Sequence, residues 1–472
     1  MRSFTLLLLL YVTSTAGSFS QDSTFTFQGR ITAAASSANT PLWLHANQYG
    51  SVPYEGSFLS AQLAAHKVYN PGNPRFFQWS GGFEMIANAG KKSSAFFTDV
   101  FLAGKIGNVE VGIGQKKNQV GLTDTLLTSG SLALSANARP YPRIWIASAG
   151  FMNLIPGNDF ISFNFAYSDG LLGSADINFG NVTHVPATYL HHKMLYLKLG
   201  GAHQRLNLYG GFNHQAMWGG EDLIFSDGLK KPEAYKYVVF GKPWAHSRVG
   251  NHFGTIDLGA EWKGESWTLF LYRQSIYEDG SLIDLSNIAD GLAGIRLKSI
   301  RKQANQGLHL NAILLEYAYT KNQGGAIFDF NTGTFGRDNY YNHYIYNQGW
   351  SFRGRTLGTP LIAPQASMRD DLKIPIISYT SNNRVSAFHA GADLSWQDLN
   401  VTLKGTFSNN IGLYKAPFES PVNQASLFIQ AELPVNILGR SHVSVVFAGD
   451  YGKLFPASQA IMIGWRRAGY FR

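Results

Sequence analysis

The feature that most constrains this chain is an alternation of apolar and polar residues in stretches of about ten, each closed by a turn and repeated along the sequence. Leu195, Leu197 and Leu199 share one parity, with Tyr196 and Lys198 on the other. Ile256, Leu258, Ala260 and Trp262 alternate with Thr255, Asp257, Gly259 and Glu261, and Val443, Val445 and Phe447, then Ile461, Ile463 and Trp465, repeat the pattern. Strand side chains have a period of two, so each stretch has one apolar and one polar face. The polar faces carry many Gly, Asn, Thr and charged residues, and the stretches are many and long. The pattern therefore predicts an all-β fold, an antiparallel transmembrane β-barrel with lipid outside and a polar lumen inside.

Composition agrees. Only 15% of the 472 residues are charged, where soluble domains average roughly 25%, and 14% are aromatic. No apolar run reaches the roughly 20 residues a membrane helix needs. A sheet in lipid must close on itself, because an open edge would leave backbone groups unsatisfied. Arg2, the apolar stretch from Phe4 to Val12 and the small residues Ala16, Gly17 and Ser18 read as a signal peptide over 1–20, leaving 21–472 as one barrel domain. The absence of cysteine excludes a disulfide framework and an acyl-cysteine anchor. Together with the signal peptide it points to a Gram-negative outer membrane. A formal net charge of +9 suits contact with lipopolysaccharide phosphates or an acidic glycan, and suits equally a lumen scattered with Lys and Arg. Nothing resembles a nucleic-acid-binding module.

Strands are expected near 24–33, 57–66, 76–87, 95–104, 109–117, 142–152, 160–168, 192–200, 205–214, 253–263, 267–275, 292–300, 308–320, 385–397, 400–409, 425–433, 441–450 and 459–468. Eighteen is an even count, as bacterial barrels require. With the first strand starting in the periplasm, short turns follow even-numbered strands. The long connections 118–141, 169–191, 215–252, 276–291 and 321–384 then follow odd ones and are external. The chain ends Gly469-Tyr470-Phe471-Arg472, with the closing aromatic penultimate.

The connection over 321–384 is too long to be idle. It holds Tyr340, Tyr341, Asn342, Tyr344, Tyr346, Asn347, Gln348 and Trp350, then Arg353 and Arg355. Aromatic faces stack on sugar C–H faces, amides match vicinal hydroxyls, and the arginine fork matches a uronate or phosphate. The same rings fit a second reading, a plug packed into the lumen or a girdle at the membrane interface. Trp218, between His214 and Glu221, joins the candidates for polysaccharide binding, although an interface tryptophan at a turn also fits it. Residues 39–50 read as a capping loop or plug segment. No catalytic residue is expected. His191 and His192 are adjacent and should point to opposite faces, which makes a poor metal pair. No metal or cofactor is expected.

Three segments carry a family resemblance: NTPLWLHANQYGSVP near the mature N-terminus, HQAMWGGED at 214–222 and DNYYNHYIYNQGWSFRGRTLGTPLIAP at 338–364. They resemble the Wzi family of capsule assembly proteins. The resemblance implies an eighteen-stranded outer-membrane barrel that acts as a surface lectin, helping to attach or organise capsular polysaccharide. Its expected partners are that polysaccharide, membrane lipid and lipopolysaccharide. Better-known members carry a periplasmic helical bundle, for which no helical segment is evident here. A porin or solute-specific channel is the alternative, and a barrel enzyme acting on lipid or peptide is a third reading.

Overall fold

A computed structural model describes residues 24–70, 72–73, 75–225, 228–244, 247–278, 282, 285–300, 307–329, 334–375 and 378–471. The expected signal peptide lies outside them. The described residues form eighteen barrel strands: β1 (Phe25–Ser36), β2 (Phe58–Lys67), β3 (Phe77–Gly90), β4 (Ser94–Ile106), β5 (Val109–Gln115), β6 (Arg143–Ser148, resuming as Met152–Ile155), β7 (Asn158–Phe179), β8 (Val182–Leu199) and β9 (Leu206–Trp218). The second half comprises β10 (Asn251–Lys263), β11 (Trp267–Tyr277), β12 (Gly291–Ser299), β13 (Leu308–Tyr319), β14 (Val385–Trp396), β15 (Leu399–Gly412), β16 (Pro417–Asn436), β17 (Arg440–Gly452) and β18 (Ser458–Tyr470). Both pieces of β6 pair with β7, and the bend between them holds Gly150 at φ +95°. Neighbours in sequence pair antiparallel, and β1 pairs with β18 from Thr26↔Tyr470 to Ser36↔Ala460, which closes the sheet.

The parity seen in the sequence sorts lipid from lumen. Leu63, Leu195, Leu197, Leu258, Leu315, Ile461 and Ile463 stand exposed on the outer wall, where acyl chains are the solvent. Tyr196, Asp257, Gln274 and Glu316 are buried on the inner wall. Glycines on the inner wall make room for neighbouring rings. A Cβ on Gly211 would sit 1.9 Å from the Tyr196 ring, and one on Gly294 would sit 2.1 Å from Tyr272. These rings lie across the glycines of the adjacent strand, with which they are in register.

Every expected strand is present, and the connections keep the expected parity. Three connections hold more regular structure than the sequence reading gave them. Residues 169–191 are not an open loop. β7 and β8 continue as a tall hairpin that turns at Gly180 (φ +59°), with register shifts near Gly173 and Ala175. The connection after β9 contains helices α2 (Glu221–Ile224) and α3 (Lys231–Phe240), and the connection after β1 contains α1 (Leu42–His45). All three helices follow odd-numbered strands, so they are external, unlike a periplasmic bundle.

Candidate functional site

The main hydrophobic core lies in the barrel mouth, and the long connections build most of it. Trp43, Leu44, Leu127, Leu132, Tyr340, Tyr341, Trp350 and Ile362 pack there against Phe253, Leu292 and Leu314 of the wall. Loop backbone in a barrel needs hydrogen-bond partners, and inward polar side chains of the wall supply them. Glu316 accepts from Ser129 N and Thr128 Oγ1, both at 2.6 Å, and from the Tyr272 hydroxyl. Gln274 Oε1 accepts from Leu132 N (3.1 Å), and Asp257 Oδ2 from Leu122 N (3.0 Å). His389 Nε2 lies 2.7 Å from Leu127 O, Asp450 Oδ2 accepts from Leu42 N (2.8 Å), and Thr406 Oγ1 accepts from the Trp43 indole (3.0 Å). The polar lumen face read from the sequence is thus a row of anchors for a folded plug.

Most of the aromatic cluster belongs to that plug. Tyr340, Tyr341, Tyr346 and Trp350 are at most 1% exposed, and Phe253 packs edge-on or tilted against Tyr340, Tyr341 and Trp350. Tyr340 donates to Asp290 (2.8 Å), Tyr341 accepts from Thr359 N (2.9 Å), and the Tyr346 hydroxyl lies 3.1 Å from both Gly219 O and Glu221 Oε1. Burial pushes all three phenols above their ordinary range, so they stay neutral. The Asn342 amide pairs with both backbone groups of Thr380 at 3.0 Å. Trp218 is buried between Tyr189 and Tyr235. The faces of these residues are spent on the protein itself, and so are the polar atoms of the three tyrosines and Asn342. Tyr344 (57% exposed) and Arg353 reach solvent, and Asn347 and Gln348 do so in part.

Arg355 is buried although it carries a charge. It lies 4.1 Å over the Tyr54 ring and donates to His45 Nδ1 (3.3 Å), the His45 carbonyl (3.4 Å) and the Val52 carbonyl. Among the described residues no carboxylate pairs with it. Burial, with Arg355 alongside, holds His45 well below the usual imidazole range. Burial and the fields of Arg355 and Arg353 also bring Arg139 down to about 10. The positive charge of Arg355 and Arg353 thus acts on Arg139, which favours an anion nearby.

Next to this group an external cleft of about 380 Å³ opens, lined by Asn39, Tyr54, Lys91, Asn137 and Arg353 and by two carboxylates already engaged, Glu55 with Lys92 and Asp450 with Ser426 and Leu42 N. It is bounded by the connections after β1, β3, β5, β13 and β17, all external. Of the residues singled out in the sequence, only Arg353 lines it. Asn39 and His45 fell within the 39–50 capping segment, but Tyr54, Lys91 and Asn137 gave no local signal, since five separate connections build the cleft.

The sequence profile described as "Capsule assembly protein Wzi" matches residues 22–362. The chain belongs to the Wzi family of capsule assembly proteins. Among solved structures it is similar to an Escherichia coli Wzi described as an outer-membrane protein involved in group 1 capsule assembly and a carbohydrate-binding β-barrel. The two share 16% identity over 92% of this chain and 83% of that one, with a TM-score of 0.56, a likeness of fold. Pseudomonas aeruginosa OpdQ (8% identity, 96% of this chain and 100% of that one, TM-score 0.48) and OccK5 (9%, 94% and 98%, TM-score 0.47) also align. No curated protein matches the chain. Wzi-family membership and the barrel together place this chain in the outer membrane.

Proposed function

We propose that this Wzi-family barrel is a non-enzymatic surface lectin that binds capsular polysaccharide and helps retain it at the cell exterior. The observation that carries this reading is the external cleft. It sets the Tyr54 ring, the amides of Asn39 and Asn137 and the cations Lys91 and Arg353 around one solvent-open space, beside a buried arginine without a carboxylate partner. A ring gives a stacking face, amides match hydroxyl pairs, and cations select acidic sugars. Arg353, Tyr344, Asn347 and Gln348 are the contacts retained from the sequence reading. Tyr340, Tyr341, Asn342, Tyr346, Trp350 and Arg355 act behind them by holding the plug and the cleft in shape, while Trp218 packs outside the plug, against helix α3.

Membrane lipid meets the apolar outer belt. The porin reading is less favoured, because the long connections pack as a hydrophobic core across the mouth. The test is binding of the producing strain's purified surface polysaccharide to the detergent-solubilised barrel. Arg353→Ala and Lys91→Ala should each weaken binding about five-fold or more, in line with roughly 1–2 kcal/mol for a charge-assisted contact. Unchanged binding in both folded variants would remove the cleft from the account.

A further inference from the structure

A second pocket, of about 340 Å³, lies on the outside of the barrel and is lined by Lys193, Phe212, His214, Phe240, Arg248 and Ile256, among others. Its direction follows from register. Lys193 shares parity with the lipid-facing Leu195 and Leu197. His214, its cross-strand partner, shares parity with the exposed Phe212, which pairs with the exposed Ile256. The pocket is therefore the upward continuation of the lipid face, at the external ends of β8, β9 and β10.

Helix α3 makes its roof. Tyr235 donates to Asp169 (2.6 Å) and meets the Tyr167 hydroxyl at 2.6 Å, and Lys193 Nζ donates to the Val239 carbonyl, so the helix is fastened to the outer wall. The helix presents Lys231 and Lys236 to solvent and the segment after it presents Lys242, with Arg248 nearby and Phe240 72% exposed. Among the described residues none of these four cations is in an ion pair. Glu278, the carboxylate on the lining, accepts from Asn339 N (2.9 Å). His214 lines the pocket at 6% exposure. Its Nε2 is 2.9 Å from His252 Nδ1, while its own Nδ1 is buried with no partner in the protein. His252 Nε2 donates to the Val249 carbonyl, so His252 Nδ1 accepts from His214 Nε2, and the buried His214 Nδ1 is a lone pair that calls for a donor such as a hydroxyl.

We propose that this pocket binds a phosphorylated glycolipid of the outer leaflet, of the lipid A class, with its phosphate against Arg248 and Lys242, a sugar hydroxyl donating to His214 Nδ1, and its acyl part along Phe212, Ile256 and Phe240. Position selects this occupant. A soluble anion has no use for apolar walls that run into the membrane belt, whereas an amphiphile anchored in that belt needs both halves. Basic residues with an exposed aromatic on an interfacial helix are the usual features of anionic-lipid contact. This site is separate from the polysaccharide cleft and does not depend on it.

The test is native mass spectrometry of the full barrel in detergent with three probes: bis-phosphorylated lipid A, the same lipid with its phosphates removed, and inorganic phosphate. Wild type should bind the phosphorylated lipid at least ten-fold more tightly than the dephosphorylated one, and millimolar phosphate should not displace it. The surface variant Arg248→Glu/Lys242→Glu should lose that preference and keep polysaccharide binding. Equal affinity for both lipids, an undiminished preference in the folded variant, or displacement by inorganic phosphate would overturn the proposal. So would a change of oligomeric state in the variant without a change in lipid binding, because this face would then be an interface between copies.

Discussion

Trp350 donates its indole N–H to the carbonyl of Ala133 at 2.8 Å, and neither residue reaches solvent. One hydrogen bond thus joins the connection after β13 to the connection after β5, at the centre of the barrel mouth. Trp350→Ala should cost about 3–5 kcal/mol of plug stability, as for other large-to-small core changes. Trp350→Phe should cost less, about 1 kcal/mol beyond the lost volume, for the hydrogen bond alone. Thermal unfolding followed by tryptophan fluorescence, beside heat-modifiable gel migration for the barrel, would separate loss of the plug from loss of the strands.

Glu316 ties the wall to the plug through Thr128, Ser129 and Tyr272. Glu316→Ala removes the shared acceptor and leaves buried donors unsatisfied, at roughly 1–3 kcal/mol for each. Residues 118–141 should then become susceptible to limited proteolysis, and bilayer conductance should rise above wild type. An unchanged digestion pattern would mean that packing alone holds this loop.

His45 accepts from Arg355 only while it is neutral. Its folded pKa lies below the ordinary 6.5 because of burial and the adjacent guanidinium. The unfolded segment therefore binds a proton before the folded one does. The stability His45 contributes is complete above pH 6.5 and falls as pH drops below it, by at most about 1.4 kcal/mol per pH unit. His45→Gln should reduce that slope by its own share, leaving the part that the buried His343 contributes, measured as plug melting temperature between pH 5 and 7.5. A wild-type profile that is flat across this range would contradict the buried neutral imidazole.

The barrel was legible in the sequence because lipid and lumen impose opposite polarity on alternate residues, as at Leu195, Tyr196 and Leu197. Where the strands leave the membrane that contrast disappears. The upper part of the β7–β8 hairpin, with Gly173 and Ala175 in irregular register, therefore read as loop. Helix α3 gave no helical signal because its apolar contact is small, Ala234 and Val238 against Trp218 and Val249, and the helix is held besides by the Tyr235 hydroxyl and the Val239 carbonyl. The aromatic cluster at 340–350 was visible as chemistry but not as position. A tyrosine that stacks on sugar and one that seals a lumen have the same composition, and only the partners of Tyr340, Tyr341 and Tyr346 tell them apart. The cleft itself draws on connections spread from Asn39 to Ser458, beyond any local motif.

The most direct test is to measure polysaccharide binding and single-channel conductance on one preparation of the purified barrel. The account predicts saturable binding of the producing strain's capsular polysaccharide, weakened by Arg353→Ala, with little or no steady conductance. Steady conductance without polysaccharide binding would contradict it and make the chain a channel whose external loops form a constriction.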